Sequence, residues 1–179
     1  MRGMAIAFAA LAAGLAWAQT PINESAPAAK DGTVIVSNIS GSVTITGWDR
    51  EEVSVTGTLG KNVERLEFVP SPTETLIRVV VPRSGRHAGP SELNISVPSG
   101  SRIDVETVSA DIELKGISGP VDAQSVSGDI TLAGTMPRVN LRTVSGNGVV
   151  RSTDVDVNAE TVSGDIGVTA ASGGVEVTT

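Results

Sequence analysis

Apolar and polar residues alternate along most of this chain in short runs, and from residue 99 onward the runs recur at a fixed interval. Related hexapeptides (TVSADI, SVSGDI, TVSGNG and TVSGDI) begin at residues 107, 125, 143 and 161, which are 18 residues apart. Each 18-residue unit has two similar halves, in which alternation predicts a half-buried strand and a small polar run predicts a turn. A fixed period without insertions is typical of stacked structural copies.

Two strands and two turns per unit predict one coil of a β-solenoid. We therefore expect an all-β, parallel solenoid with coils at 99–116, 117–134, 135–152 and 153–170 and a half-coil at 171–179. The residues predicted to point inward from the first half of each coil are Ile103, Val121, Val139, Val157 and Val175, with Val105, Ala123, Leu141, Ala159 and Val177. Those from the second half are Ile112, Ile130, Gly148 and Ile166, with Leu114, Leu132, Val150 and Val168.

The repeat has one further apolar column and one interruption of an inward column. Val108, Val126, Val144 and Val162 form a further apolar column at the preceding turn. Gly148 interrupts the second-half column, and the neighbouring Val149 is expected to compensate.

The N-terminal part of the chain predicts three further segments. Residues 1–18 read as a signal peptide, with Arg2 before an apolar stretch and Ala16-Trp17-Ala18 as the cleavage site. Residues 19–30 are rich in Pro, Ala and Ser and predict a flexible linker. Residues 31–98 predict a less regular β region, with a first coil over residues 30–47 followed by strands that are antiparallel in part.

Composition restricts the function classes. Loss of the signal removes Arg2, so the mature chain has 12 basic and 20 acidic residues, and 12 − 20 gives a net charge of −8. An acidic protein lacks the basic footprint that nucleic acids require. The chain has no cysteine, so stacking of coils takes over the stabilising role that disulfides have in many exported domains.

The candidate site residues are Asp111, Asp129 and Asp165, which recur at one position of the repeat with Asn147 between them. Stacked carboxylates could bind calcium, but the calcium-binding β-roll signature is absent, and an Asp after Ser-Gly commonly accepts a turn hydrogen bond. We expect the turn role, with no metal or cofactor.

Enzymatic chemistry finds little support in the sequence. His87 has no second histidine or cysteine to share a zinc ion and no adjacent carboxylate to complete a triad. The basic loop that contains it is expected to be solvated. Asp49, Glu51 and Glu52 follow Trp48, yet the aromatic subsites of a glycosidase are missing, and Trp48 is expected to cover the end of the first coil.

The stretch VTITGWDREEVSVTG from Val43, followed by repeated VSGDI, resembles the bacterial putative-adhesin β-strand-repeat family, whose members are exported domains of unknown function related to autotransporter-like adhesin heads. The resemblance covers residues 31–179. It implies a right-handed parallel β-solenoid in the periplasm or at the cell surface, and it supplies no catalytic residues.

Three functions remain open. The first is a non-enzymatic adhesin or scaffold of the cell envelope that binds a protein or polysaccharide through its flat stacked faces. The second is a regulatory, envelope-sensing partner of a membrane protein, and the third is a β-helical polysaccharide-active enzyme, which would need a groove of clustered acids or bases. The half-coil at residues 171–179 would leave an uncovered strand edge, so self-association through this C-terminal coil is a further expectation.

The signal peptide gives the first testable prediction. Small residues at Ala16 and Ala18 suit the cleavage site, so the exported protein should begin at Gln19 or within a few residues of it. Mass spectrometry of the protein from the envelope or medium measures this start, and an intact Met1 in that fraction would contradict export by this route.

Overall fold

The structure, a computed structural model, describes residues 20–82, 88–153, 155–170 and 173–178. The predicted signal peptide and the loop that carries His87 lie outside the described residues. Within the described ranges the chain forms strands and no helix. Their bounds are β1 (Thr20–Pro27), β2 (Thr33–Trp48), β3 (Glu52–Leu59), β4 (Arg65–Pro70), β5 (Glu74–Val80), β6 (Ser91–Pro98), β7 (Arg102–Ile117), β8 (Val121–Ser125), β9 (Ile130–Gly134), β10 (Arg138–Ser145), β11 (Gly148–Ser152), β12 (Asp156–Ser163), β13 (Ile166–Ala170) and β14 (Val175–Thr178).

The C-terminal half of the chain is a stack of parallel strands. β8, β10, β12 and β14 follow one another on one side, and β9, β11 and β13 follow one another on the other. Val139, for example, pairs with Val121 and with Val157, each 18 residues away. β7 is long enough to belong to both sides, because its first half pairs with β8 and its second half with β9. The predicted all-β, solenoid-like architecture is thereby confirmed.

The N-terminal half joins this stack out of sequence order. β2 lies against β7 along its whole length, with Val34 opposite Ile103 and Val43 opposite Ile112. On its other side β2 pairs in parallel with β5 and β6. The coil predicted over residues 30–47 is therefore present, but it is an internal layer of the stack and does not form its end.

Antiparallel strands cover the end of the stack beyond β5 and β6. β4 pairs with β5, β3 pairs with β6, and β1 pairs with β3, all antiparallel. This agrees with the partly antiparallel region that the sequence predicts. Edge strands with prolines discourage further pairing, and the outer strands here begin or end near Pro21, Pro27 and Pro70.

The expectation of a flexible linker over residues 19–30 is wrong for most of that segment. Residues Thr20–Pro27 form β1, which pairs with β3 over eight positions and buries Ile22. An edge strand exposes most of its side chains, so it does not need the apolar alternation that reveals a half-buried strand. Backbone hydrogen bonds to β3 order the segment without such a pattern.

The core lies between the two sides of the stack, and in the repeats it consists largely of the predicted columns. It continues into the N-terminal layers through residues such as Val36 and Ile95, and it also includes Ile117 and Met136, which lie outside the predicted columns. Ile103, Val121, Val139, Ile112 and Ile130 are at most 1% exposed. Val175 and Val177 on the last strand are 49% and 43% exposed, because no strand of the described residues lies beyond β14. The columns are narrow, since each rung receives only a few side chains from either side, and this favours Val, Ile, Leu and Ala over aromatic residues.

Gly148 is accommodated by a different neighbour from the one expected. A Cβ atom at this position would lie 3.0 and 3.1 Å from the two terminal methyl carbons of Leu141. The Leu141 side chain therefore occupies the space that the glycine leaves. Val149 does not compensate, because it pairs with Thr131 and Gly167 in the outward-facing column.

A buried polar column accompanies the core at the corner of each coil. Thr107, Ser125, Thr143 and Thr161 are 3–6% exposed, and Asn38 occupies the same position in β2. The Thr107 hydroxyl contacts the Ala110 carbonyl oxygen at 3.1 Å and the Ser125 hydroxyl at 3.0 Å. Short hydroxyl side chains suit this corner because they can bond locally to the backbone where the chain turns.

The repeated Ser-Gly-Asp turn requires glycine because successive corners touch. A Cβ atom at Gly128 would lie 2.3 Å from the Ala110 carbonyl oxygen, and one at Gly146 would lie 2.2 Å from the Gly128 carbonyl oxygen. No side chain fits at such distances, so the glycines allow the coils to approach one another.

Paired substitutions test the inward and outward assignment in the middle of the stack. Ile130→Asn places an unpaired amide in the core and should cost about 3 kcal/mol or more of unfolding free energy. Thr131→Asn, one residue on and facing outward, should cost less than about 1 kcal/mol. Urea unfolding of both variants measures the difference, and equal losses would contradict this arrangement of the strand.

Candidate functional site

The outward face of β2, β7, β8, β10, β12 and β14 is a flat surface made of columns of side chains. Alternation along each strand turns every second residue outward, and the parallel register places equivalent residues side by side about 4.8 Å apart. Two outward columns are aligned by this register. They are Asp104, Asp122, Asn140, Asn158 and Glu176, and Glu106, Gln124, Arg142, Glu160 and Thr178.

Charged and amide side chains in these columns bond to one another between neighbouring strands. Arg102 forms an ion pair with Asp122, whose other carboxylate oxygen accepts a hydrogen bond of 2.5 Å from the Asn140 side-chain amide. The Arg142 Nε lies 3.5 Å from a Glu160 carboxylate oxygen. These contacts pre-order the surface, because the side chains are held by neighbours one coil away.

Asp104 is the most perturbed acid of this face. Partial burial raises the pKa of its carboxyl group, the negative charges of Glu106 and Asp122 raise it further, and Arg102 opposes them. A carboxyl group in this position is easier to protonate than a free aspartate.

The candidate residues Asp111, Asp129 and Asp165 lie in one exposed column with Asn147. Asp129, Asn147 and Asp165 lie at the turn, whereas Asp111 lies within β7, which continues through this corner. The Asp111 carboxylate accepts the backbone N–H of Asp129 at 3.0 Å, and the Asp129 carboxylate accepts that of Asn147 at 2.9 Å. The Asn147 side-chain oxygen accepts the N–H of Asp165 at 3.2 Å. The hydrogen-bond partner is thus on the next coil, where each side chain caps the following strand.

This geometry uses carboxylate oxygens that a cation would need. A calcium ion takes six to eight oxygen ligands around one point, whereas these side chains are spaced along a line. Among the described residues no group of three or more His, Cys, Asp and Glu could hold a metal ion.

The apolar column at the turn lies on the outside of the protein. Val108, Val126 and Val144 are 44–46% exposed, and Val162 is 75% exposed. Alternation along β7 explains this position, since Glu106 points outward, Thr107 inward and Val108 outward again. The apolar column that the sequence places at the turn is therefore exposed and does not belong to the core. The alternation was visible in the sequence and could have indicated the exposed position.

A shallow groove runs beside this column. Its lining includes Val126, Val144 and Val162 on one side, and Gln124, Arg142 and Glu160 on the other. The groove combines an apolar wall with a charged one, which is a common composition for a contact surface.

The acidic residues after Trp48 do not form a catalytic pair. The Trp48 indole N–H donates to the Glu52 carbonyl oxygen at 2.8 Å, and the Arg50 guanidinium lies 5.0 Å from the ring centre. Glu51 pairs with Lys30 at 3.2 Å. Asp49 lines a surface pocket with Trp48 and Arg50, whereas Glu51 and Glu52 do not line it.

Within the described ranges no helix has the length and apolar character to cross a membrane.

Comparison with known proteins agrees with the all-β architecture. A crystal structure of a putative cell adhesion protein from Clostridium sporogenes matches 84% of this chain and 100% of its own, with a TM-score of 0.63 and 12% identity. A putative adhesin from Bacteroides fragilis matches 90% of this chain and 97% of its own, with a TM-score of 0.45 and 10% identity. At such identities the first likeness shows the fold alone, and the second is too distant for any argument.

The sequence comparison is more specific about the family. No curated protein matches the chain significantly. The profile of the Toastrack DUF4097 family matches residues 71–179, which is more than half of the chain and includes β5 to β14. The chain therefore belongs to the Toastrack DUF4097 family.

Proposed function

We propose that this protein is an exported, non-enzymatic adhesion or scaffold module of the cell envelope, whose contact surface is the outward face of the stack. The observation that carries the proposal is the ordered surface of aligned side chains, several of them fixed by bonds such as that between Asp122 and Asn140. A rigid, flat surface loses little entropy when it binds an extended partner. The fold shared with the cell adhesion protein from Clostridium sporogenes supports the same function.

The surface is better suited to binding than to catalysis. Its acidic, basic and amide groups are spread along columns, whereas an enzyme gathers its acid, base and binding groups around one reacting atom. We assign a structural role to the column of Asp111, Asp129 and Asp165, because the carboxylates of Asp111 and Asp129 already accept backbone N–H groups. We therefore propose that binding does not require a metal ion.

We also infer that the repeating unit is a right-handed coil of 18 residues. The register of 18 between neighbouring strands supports the length, and the strong preference of parallel crossover connections for the right hand supports the handedness. Residues 99–178 form the repetitive part in this proposal, and residues 20–98 provide the layers that cover its first end.

Deletions of different length test the coil. Removal of residues 117–134 takes out one whole coil and should leave a cooperatively folded protein, because β10 can then lie on β7 in the same register. Removal of residues 126–134 takes out half a coil and moves each later strand to the wrong side. Circular dichroism during thermal unfolding compares the two, and equal folding of both variants would exclude an 18-residue coil.

Binding to envelopes tests the proposed function. Purified protein should co-sediment with envelopes isolated from the producing bacterium after deletion of the gene. The double variant Asn158→Lys/Glu176→Lys alters the outward face and should weaken binding about tenfold, or about 1.4 kcal/mol, because the added lysines disturb the charge complementarity with the partner. EDTA should leave binding unchanged.

The matched control is Glu24→Lys/Asn94→Lys, which makes the same change in charge on exposed residues of β1 and β6, away from the proposed face. This control should bind like the unmodified protein. Absence of co-sedimentation, or an equal loss in both double variants, would refute the proposed contact face, and loss of binding in EDTA would refute the metal-free function.

A further inference from the structure

The exposed apolar column at the corner of the stack extends over five layers. We call it the apolar ridge, and its members with their exposed fractions are Ile39 (37%), Val108 (46%), Val126 (46%), Val144 (44%) and Val162 (75%). Ile39 belongs to it because its neighbours Asn38 and Ser40 pair with Thr107 and Ser109. At about 4.8 Å per layer the ridge is about 19 Å long. A continuous apolar row of this kind on an acidic protein marks a contact surface.

A column of polar side chains runs parallel to the apolar ridge, two residues earlier on each strand. We call it the flanking column. In layer order it consists of Arg78, Ser37, Glu106, Gln124, Arg142, Glu160 and Thr178. Gln124 is the middle member of this column, just as Val126 is the middle member of the ridge.

We propose that the apolar ridge binds a second copy of this chain, with the two stacks face to face and antiparallel about a two-fold axis that passes between their Val126 residues. A two-fold axis lying across the ridge reverses the order of the layers but keeps each column opposite its own copy. Val126 then meets Val126, Val108 meets Val144, and Ile39 meets Val162 of the second copy. All five apolar layers are covered in this register.

The charges of the flanking column fit the same register. Glu106 lies opposite Arg142 of the second copy, Gln124 lies opposite itself, and Glu160 lies opposite Ser37. No like charges meet within the column. If the axis moves half a layer towards Arg142, Glu106 faces Glu160 of the second copy, and if it moves a whole layer, Arg142 faces itself. A shift of half a layer towards Glu106 brings no like charges together either, but it leaves Val162 without a partner on the ridge. The register centred on Val126 is therefore the one that both avoids like charges and covers the whole ridge.

The contact is small. The ridge and the flanking column form a narrow strip, well below the roughly 800 Å² per partner of a standard stable interface. The association is accordingly weak in solution, with dimers forming at about 100 μM protein or above, and it gains strength where many copies share one envelope. The purified protein suffices to observe it, so its test is separate from the proposed binding to envelopes. The flanking column is part of the proposed contact face, however, so in the dimer the column from Asp104 to Glu176 is the part of that face left for the envelope.

Sedimentation of the purified protein over a range of concentrations measures the association. Val126→Asp places two carboxylates opposite each other on the axis and should weaken dimer formation at least tenfold. Val69→Asp is the matched control, since Val69 is 51% exposed on β4, away from the ridge. It should leave dimer formation unchanged. A protein that stays monomeric throughout, or a dimer that Val126→Asp leaves intact, overturns the proposal.

Cross-linking then tests the register, and the absence of cysteine makes single-cysteine variants unambiguous. Gln124→Cys lies on the axis, so a thiol reagent spanning about 10 Å, the separation of packed sheets, should join two copies efficiently. Glu160→Cys is four layers from its own counterpart, about 19 Å along the stack, and should give little product. Equal yields, or a higher yield from Glu160→Cys, overturn the antiparallel register, as expected if copies associate through the free edge of β14 instead.

Discussion

The structure depends on one constraint, the parallel backbone ladder that places each strand directly on the strand 18 residues before it. Because the ladder keeps this register over several layers, every position of the repeat stacks on its own equivalents. A residue that suits one layer therefore has to suit the whole column. Apolar columns form the core, short hydroxyl residues form the corner, and outward residues form the flat face.

The same constraint explains why the turns vary so little. Successive corners approach so closely that a side chain at Gly128 would overlap the backbone of the layer before it. The following Asp or Asn bonds to the backbone of the layer after it, so each turn is fixed from both sides. A short Ser-Gly-Asp sequence thus combines close approach with the capping of the next strand, and its recurrence needs no functional explanation.

The N-terminal part of the chain covers the end of the stack that would otherwise expose an unpaired strand edge. A stack of parallel strands leaves unpaired backbone groups on its last layer, and those groups attract other strands. Here β3 and β4 cover β6 and β5 in the antiparallel sense, and β1 covers β3. Placing β2 inside the stack, between β7 and the layer of β5 and β6, ties the covering strands to the repeats. The long connection from β2 to β7 allows this, because parallel strands do not need to be adjacent in sequence.

The sequence by itself determined the all-β class, the period of the repeat and most core positions from Ile103 to Ala159, because alternation and periodicity are local properties of the chain. It did not indicate Ala110, Ile117, Met136 and Val155, which are buried outside the predicted columns. The sequence also indicated a hydrogen-bonding role for Asp111 and Asp129, although the backbone N–H groups that these carboxylates accept lie on the next layer. The tertiary structure determined those features that local sequence patterns do not encode. The strand β1 is ordered by pairing with β3, Gly148 is filled by Leu141 from across the core, and β2 lies within the stack. The positions of β1, Leu141 and β2 depend on contacts between segments distant in sequence, which leave no periodic trace in the chain itself. The turn valines are a different case, because their 18-residue spacing and the alternation along β7 are visible in the sequence, and the tertiary structure adds only the stacking that joins them into one ridge.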